Sequence, residues 1–423
     1  MGAKRARRAG LWVGGSLFGL LLAVLAGSAA YWRYVTAVPE VTLPVDAAPP
    51  PRGFLDGMGA AFEVQRSLGP TPATWPEGTT AELERTLSPV RPALQRLRAS
   101  YGREWRVPLS RLTQYQEEHS AFREAARCFA AEALLAERRG DADAALGNLL
   151  DAIELGVRLR EGEGTLGMLV GAAVAGIGLA RVEALPARVS LAALETALAR
   201  LDRLQAGWPS VAQAMETEAA IAPADMARYF RELNGKALPR QWTALDDFGD
   251  FGRLEKFRLL LSPRREALAR VEGYYRVVAK EAGKPIPAQV TVPLPADPWA
   301  EYFCVEHRAP FVQLDHTRVR LLYAALAVER RQREQGYYPG SWEELRGKWL
   351  RGVPQDEWGR PLVYRLQHGR PLVYSLGPDG IDDGGRSVEV PWSPEASARG
   401  DIVFGQLRPR HRAGFTAPPP AEP

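Results

Sequence analysis

Three regimes of apolar patterning follow one another along the chain. Residues 11–32, "LWVGGSLFGLLLAVLAGSAAYW", run 22 positions without a charge, enough for a helix to cross the ~30 Å hydrocarbon core of a bilayer. Lys4, Arg5, Arg7 and Arg8 precede the run, and Tyr31, Trp32 and Tyr34 sit at its far end. The pattern predicts a single-pass transmembrane helix at 11–32, with 1–10 cytoplasmic and the bulk of the chain outside the cytoplasm, on an inner (cytoplasmic) membrane. A cleavable signal peptide reads the same region, with Ser28-Ala29-Ala30 as its small-residue site; the apolar stretch exceeds an ordinary signal core, which favours the uncleaved anchor. A second apolar run, 165–180, holds 16 residues with four glycines between Glu163 and Arg181. That length predicts a buried core helix rather than a second span.

The second regime is helical. After a proline-rich linker at 33–52, apolar residues recur every three or four positions through a helical domain at 53–283. In 125–159 the stripe is interrupted at Gly140-Asp141, where an antiparallel helix pair would turn. Further helices are expected at 191–204, 211–220 and 224–233, and over 254–282 with a break at Pro263. A connector at 284–299 carries five prolines and is expected to run extended.

The third regime occupies 300–405. A helical stripe of Val319, Leu322, Tyr323 and Leu326 stops at Gly336 and Pro339. Then GRPLVY occurs twice, ten residues apart. Alternation on both copies predicts two arms of a β-hairpin around Gln367-His368-Gly369, with Leu362, Tyr364 and Leu366 on one face of the first arm and Leu372, Tyr374 and Leu376 on one face of the second. The whole is an α+β protein: an anchor, a mostly α-helical central domain forming an irregular bundle, and a small helix-plus-antiparallel-sheet module, with a disordered tail at 406–423.

Composition narrows the chemistry. With 54 basic and 50 acidic residues in 423 the net charge is +4, and no concentrated basic stripe suits nucleic acid. Cys128 and Cys304 stand far apart, which excludes a zinc knuckle; they are two buried thiols or one disulfide. No HExxH, GxSxG, P-loop or strand-linked GxGxxG is present, and His119, His307, His316, His368 and His411 form no zinc-ligand frame. "DDFGDF" at 246–251 lacks the other kinase elements. The chain reads as non-enzymatic, with no small-molecule substrate identified; the alternative is an extracytoplasmic hydrolase using Asp or Glu between Glu216 and Asp250. The most specific chemical signal is "SLGPDGIDDGG", which sets Asp379, Asp382 and Asp383 among four glycines. Clustered carboxylates and carbonyl-exposing turns suit calcium, in a spacing unlike an EF-hand; an ordinary Asp/Gly surface turn has the same composition.

Two resemblances bear on these readings. The pair at 125–159 is similar to a single tetratricopeptide-type helix pair, without a second copy at that family's period. The order helix, "GYYP", "SWEEL", "VPQDEWGRPLVY", "LVYSLGPDG", Asp cluster and "GDI" over 318–403 resembles the C-terminal part of the major pseudopilin of type II secretion. That resemblance implies a calcium-binding final loop, with Asp379, Asp382 and Asp383 as side-chain ligands and Leu376 and Ser375 beside the ion. It also implies a link to secretion or the cell envelope, and it leaves the helical domain as the place for a protein partner. Glu357 stands where the family's Asp-Pro-Trp-Gly signature has proline, and the anchor lacks the acidic residue that opens a pilin helix.

Overall fold

The computed structural model describes residues 24–41, 51–68, 78–106, 116–162, 164–182, 185–247, 252–304, 310–386 and 400–404. Most of the expected anchor, part of the 246–251 stretch and the tail at 406–423 lie outside the described residues. The chain is mostly helical with a small three-stranded antiparallel sheet, an α+β protein. It divides into two compact units built from non-contiguous stretches: a smaller one of 1–44, 218–278 and 292–306, and a larger one of 45–217, 279–291 and 307–423. The linear division at 283 and 299 does not describe these units. Contacts made by the last helix place the C-terminal module in the same core as the helices before 217.

Within the larger unit, α2 (Arg52–Leu68), α3 (Thr80–Leu87) and α4 (Arg91–Ser100) gather around α5 (Gln116–Arg138). Their apolar faces close on Phe54, Leu87, Leu97, Trp105, Phe122 and Phe129. Thr79 and Glu82 start α3 as a capping box. The turn expected at Gly140 is present: Gly140 has φ +78°, and Asp141 accepts a 2.9 Å bond from the Ala144 N–H to start α6 (Ala142–Arg158). Here α7 (Thr165–Val182) packs along α6. It is the one described helix long and apolar enough to cross a membrane, yet 56% of it is buried inside the protein. Small residues make that burial possible. A Cβ added at Gly156 would collide with the Gly171 carbonyl and the Ala175 N–H, and one at Gly178 would meet the Leu149 carbonyl at 2.6 Å. Backbones this close exclude any larger side chain.

On the other side of α6 and α7 lie α8 (Leu191–Ala206) and α14 (Pro310–Gln335), which share one apolar cluster with the hairpin through Leu201, Leu322, Leu326, Leu362 and Val373. Strands β1 (Val363–Gln367) and β2 (Arg370–Ser375) pair antiparallel with Val363 opposite Tyr374 and Gln367 opposite Arg370. The loop is therefore His368-Gly369 alone, both at positive φ (53° and 75°), as a two-residue hairpin requires. This register changes the meaning of the repeat. Tyr364 faces Val373 across the ladder, so the equivalent residues Tyr364 and Tyr374 point to opposite faces. The core side holds Leu362, Tyr364 and Val373, while Leu366 is exposed. Strand β3 (Ile402–Val403) pairs only with Tyr374 and Ser375. Pro371 is thus tolerated in the central strand, because no third strand runs beside it.

The smaller unit holds α1 (24–35), most of α9 (Val211–Asn234), α10 (Leu238–Ala244), α11 (Arg253–Leu261), most of α12 (Arg264–Ala282) and α13 (Ala300–Phe303). The chain breaks at Ser262-Pro263, as the proline predicts, whereas Pro223 sits inside a continuous α9. Trp299 centres this unit. Its indole N–H donates to the Leu259 carbonyl at 2.8 Å, and its ring meets Phe230 edge-on at 4.9 Å. Cys304 is a buried free thiol here, and Cys128 is another in the larger unit.

Candidate functional site

The acidic loop follows β2, and Gly385 and Arg386 at its end are hydrogen-bonded to Asp401, the residue before β3. Tyr374, fully buried on the sheet face opposite Val373, donates its hydroxyl to Asp382 Oδ1 at 2.9 Å; the Gly384 N–H joins it there, and Arg365 pairs with Oδ2. These partners, the backbone N–H first, hold the Asp382 carboxyl below its ordinary range. Asp379 Oδ1 accepts from the Ile381 N–H at 3.1 Å. Asp383 lies 3.7 Å from Arg386. Ser375 is buried and donates to Asp356 Oδ2 at 2.8 Å. Leu376 is half-buried at the end of the strand. The structure adds Asp401 from "GDI": fully buried, it accepts the Gly385 N–H at 2.7 Å. Burial pushes its carboxyl up; the backbone N–H groups of Gly385 and Asp383 oppose that, and the charges of Asp382 and Asp383 add to it. Two buried carboxylate oxygens, Asp379 Oδ2 and Asp401 Oδ1, have no hydrogen-bond partner among the described residues. No three His, Cys, Asp or Glu side chains among those residues converge closely enough to hold a metal ion. The named aspartates are thus neutralised chiefly by arginine and backbone N–H groups in this structure.

A second site, a cleft of about 350 Å³, opens in the larger unit where α8 ends and α14 begins. Trp208, Ser210, Lys284, His316, Arg320 and Glu357 are among its walls. The first turns of α14 organise it. His316 is buried, and its ring lies flat on Trp208 with centroids 4.1 Å apart and planes 3° apart. Its Nδ1–H donates to Glu357 Oε1 at 2.6 Å, and Arg320 reaches the same oxygen at 3.0 Å. Burial pushes the imidazole below its ordinary value, with Glu357 pulling the other way. Burial works against the Glu357 carboxylate too, but His316 and Arg320 outweigh it and hold the carboxyl low. One turn of chain fixes this geometry. Arg320 donates to the Gln355 and Asp356 carbonyls at 3.1 and 3.0 Å, and the Glu357 N–H donates to Thr317 Oγ1 at 3.2 Å.

Behind the ring lies an ion pair with no exposed surface, Arg160 to Asp315 at 2.7 Å. The Arg160 guanidinium also sits 5.0 Å from the Trp208 ring centre. Burial lowers the arginine's affinity for its proton and pushes the Asp315 carboxyl up to about 6, while Arg160 and Arg318 oppose that rise. Arg160 Nε and Nη1, Asp315 Oδ1 and His316 Nε2 lack hydrogen-bond partners among the described residues. The cleft wall is therefore a stack of coupled, incompletely satisfied polar groups.

None of the cleft residues falls in 216–250, where the hydrolase alternative places its groups. The cleft was not read from sequence, because Arg160, Trp208, His316 and Glu357 are scattered over nearly 200 positions. One signal was present: Glu357, the departure from Asp-Pro-Trp-Gly, is the side chain that turns into the cleft. Asp356 beside it keeps a structural task, accepting the Arg360 N–H at 2.9 Å and the Ser375 hydroxyl. No protein-family model matches the chain, and no curated protein or solved structure is significantly similar to it.

Proposed function

We propose that the chain is a membrane-anchored extracytoplasmic interaction protein, without catalytic activity of its own, carrying a calcium-stabilised pseudopilin-like module at its C-terminus. Residues 11–32 hold it in the inner membrane with the N-terminus in the cytoplasm, and its partner is a protein of the secretion machinery or the cell envelope. The observation that carries this is the shared core of α14 and the hairpin with α6, α7 and α8. A module built into a larger body serves as a fixed wall for binding rather than as a free subunit of a filament. The cleft at the end of α8 and the start of α14 is the partner site: it has a stacked aromatic, a carboxylate and two cations.

Two buried oxygens, Asp379 Oδ2 and Asp401 Oδ1, support calcium in the terminal loop. A buried carboxylate oxygen without a donor costs free energy, and calcium is the hard, oxygen-seeking ion that offsets it in irregular geometry. Calcium must compete with Arg365 for Asp382. Thermal melting of the full chain in detergent, with calcium against chelator, tests this. Calcium at 100 times its dissociation constant stabilises by about 2.7 kcal/mol, and Asp379→Asn with Asp401→Asn abolishes the shift. A melting temperature indifferent to millimolar calcium in the wild type removes the ion from the proposal.

A further inference from the structure

The smaller unit carries an apolar surface that its own fold leaves uncovered. Helix α11 reads RLEKFRLLL and is apolar on two sides. Leu259 and Leu260 turn inward, whereas Leu254, Phe257 and Leu261, spaced three and four apart, are 75%, 56% and 43% exposed. The exposed stripe continues onto α10: the Phe257 ring meets Trp242 at 5.0 Å, and Leu238, one turn before Trp242, is also exposed. Contiguous apolar surface of this kind marks a binding face.

Its neighbour decides what it binds. The end of α1, which continues the charge-free stretch, is fastened to the same elements. Tyr31 donates to the Leu261 carbonyl at 3.4 Å, Tyr34 to Glu266 on α12, and Asn234 of α9 donates to the Thr36 carbonyl at 2.8 Å; Val35 is buried among them. Tyr31 and Tyr34 are the aromatic residues expected at headgroup level. The Tyr31 bond ties the end of α11 to the end of α1, so an anchored α1 holds α11 close to headgroup level. Arg240, Arg253, Arg258 and Arg265 are exposed on these elements, while Asp246 is paired with Lys256 and Glu266 with Tyr34. Apolar residues flanked by arginines are the composition of a helix lying in the interface of an anionic membrane.

We infer that α11, with Trp242 and Leu238 of α10, lies on the extracytoplasmic leaflet, its apolar stripe in the acyl boundary and its arginines on anionic headgroups. This rests on the anchored reading of 11–32. The contact gives the smaller unit a second attachment and restricts how it tilts on its anchor.

The test uses the unmodified full chain in phosphatidylcholine vesicles with and without phosphatidylglycerol, carrying a diazirine lipid, with photoadducts mapped by peptide mass spectrometry. Adducts are expected on 254–261 as well as on 11–32, with those on 254–261 several-fold more abundant when phosphatidylglycerol is present. Adducts confined to 11–32 in chains that resist a carbonate wash overturn the inference while leaving the anchor intact. Release by carbonate with adducts on 254–261 upholds the surface contact and overturns the anchor; release without adducts overturns both. Phe257→Asp lowers the 254–261 adducts several-fold without changing those on 11–32. Should that variant fail to fold, the map of the unmodified chain stands as the test.

Discussion

Arg160 and Asp315 show how one buried pair constrains its surroundings. Removing both charges from water is costly, and their attraction offsets that only while both are present. Arg160→Met is expected to destabilise the chain by about 3–5 kcal/mol at pH 7, because it leaves the Asp315 carboxyl buried without its partner. Arg160→Met with Asp315→Leu recovers most of that loss. Urea unfolding measures both, and a double variant no more stable than the single one would refute the recovery. The pH dependence has a definite sign. A carboxyl raised to about 6 by burial binds its proton more tightly folded than unfolded, so its contribution is full below its ordinary value near 4 and is lost as pH rises through about 6. Wild type therefore gains stability as pH falls from 7 towards 4, and Asp315→Asn, which has no proton to bind there, lacks that gain.

Among the elements, α6 and α7 depend on glycine more than on apolar bulk. Gly171 faces the Gly156 carbonyl and the Arg160 stem, with no room for a β-carbon. Gly171→Val is expected to cost about 1–3 kcal/mol or more through overpacking, and to disturb the cleft through Arg160. Gly147 on α6 has open space around it, so Gly147→Ala is neutral or stabilising by up to ~1 kcal/mol. Calorimetry of the two variants separates the close approach from helix propensity; a matched loss in both would refute it. These elements were legible in the sequence, since the 165–180 run was too short and glycine-rich to be read as a span. The hairpin was legible as a pair of arms but not in its faces. Period-two alternation locates strands, whereas their pairing depends on loop length: a turn of two residues instead of three reverses every side chain of the second arm.

For the whole molecule, the two units carry one thiol each, Cys304 in the smaller and Cys128 in the larger. Burial pushes both thiols up, Cys304 to about 12, so neither reacts while its unit is closed. The larger unit has the more extensive core. Thiol labelling through a urea series is therefore expected to modify Cys304 at lower concentration than Cys128. Coincident midpoints would mean that the two units open as one.

By itself, the sequence determined what local chemistry determines: most of the helices with their caps, the break at Pro263 though not the continuity of α9 through Pro223, the hairpin, the charge-free stretch at 11–32 and the acidic glycine loop. Each is written in neighbouring residues whose backbone preferences and periodicity act over a few positions. Tertiary structure alone decided that α14 closes the core of α6 to α8, that Tyr374 rather than a second core face serves Asp382, and that Arg160, Trp208, His316 and Glu357 meet at one cleft. Those outcomes depend on which distant surfaces exclude water from each other, and no stretch of sequence short enough to show a pattern contains both partners.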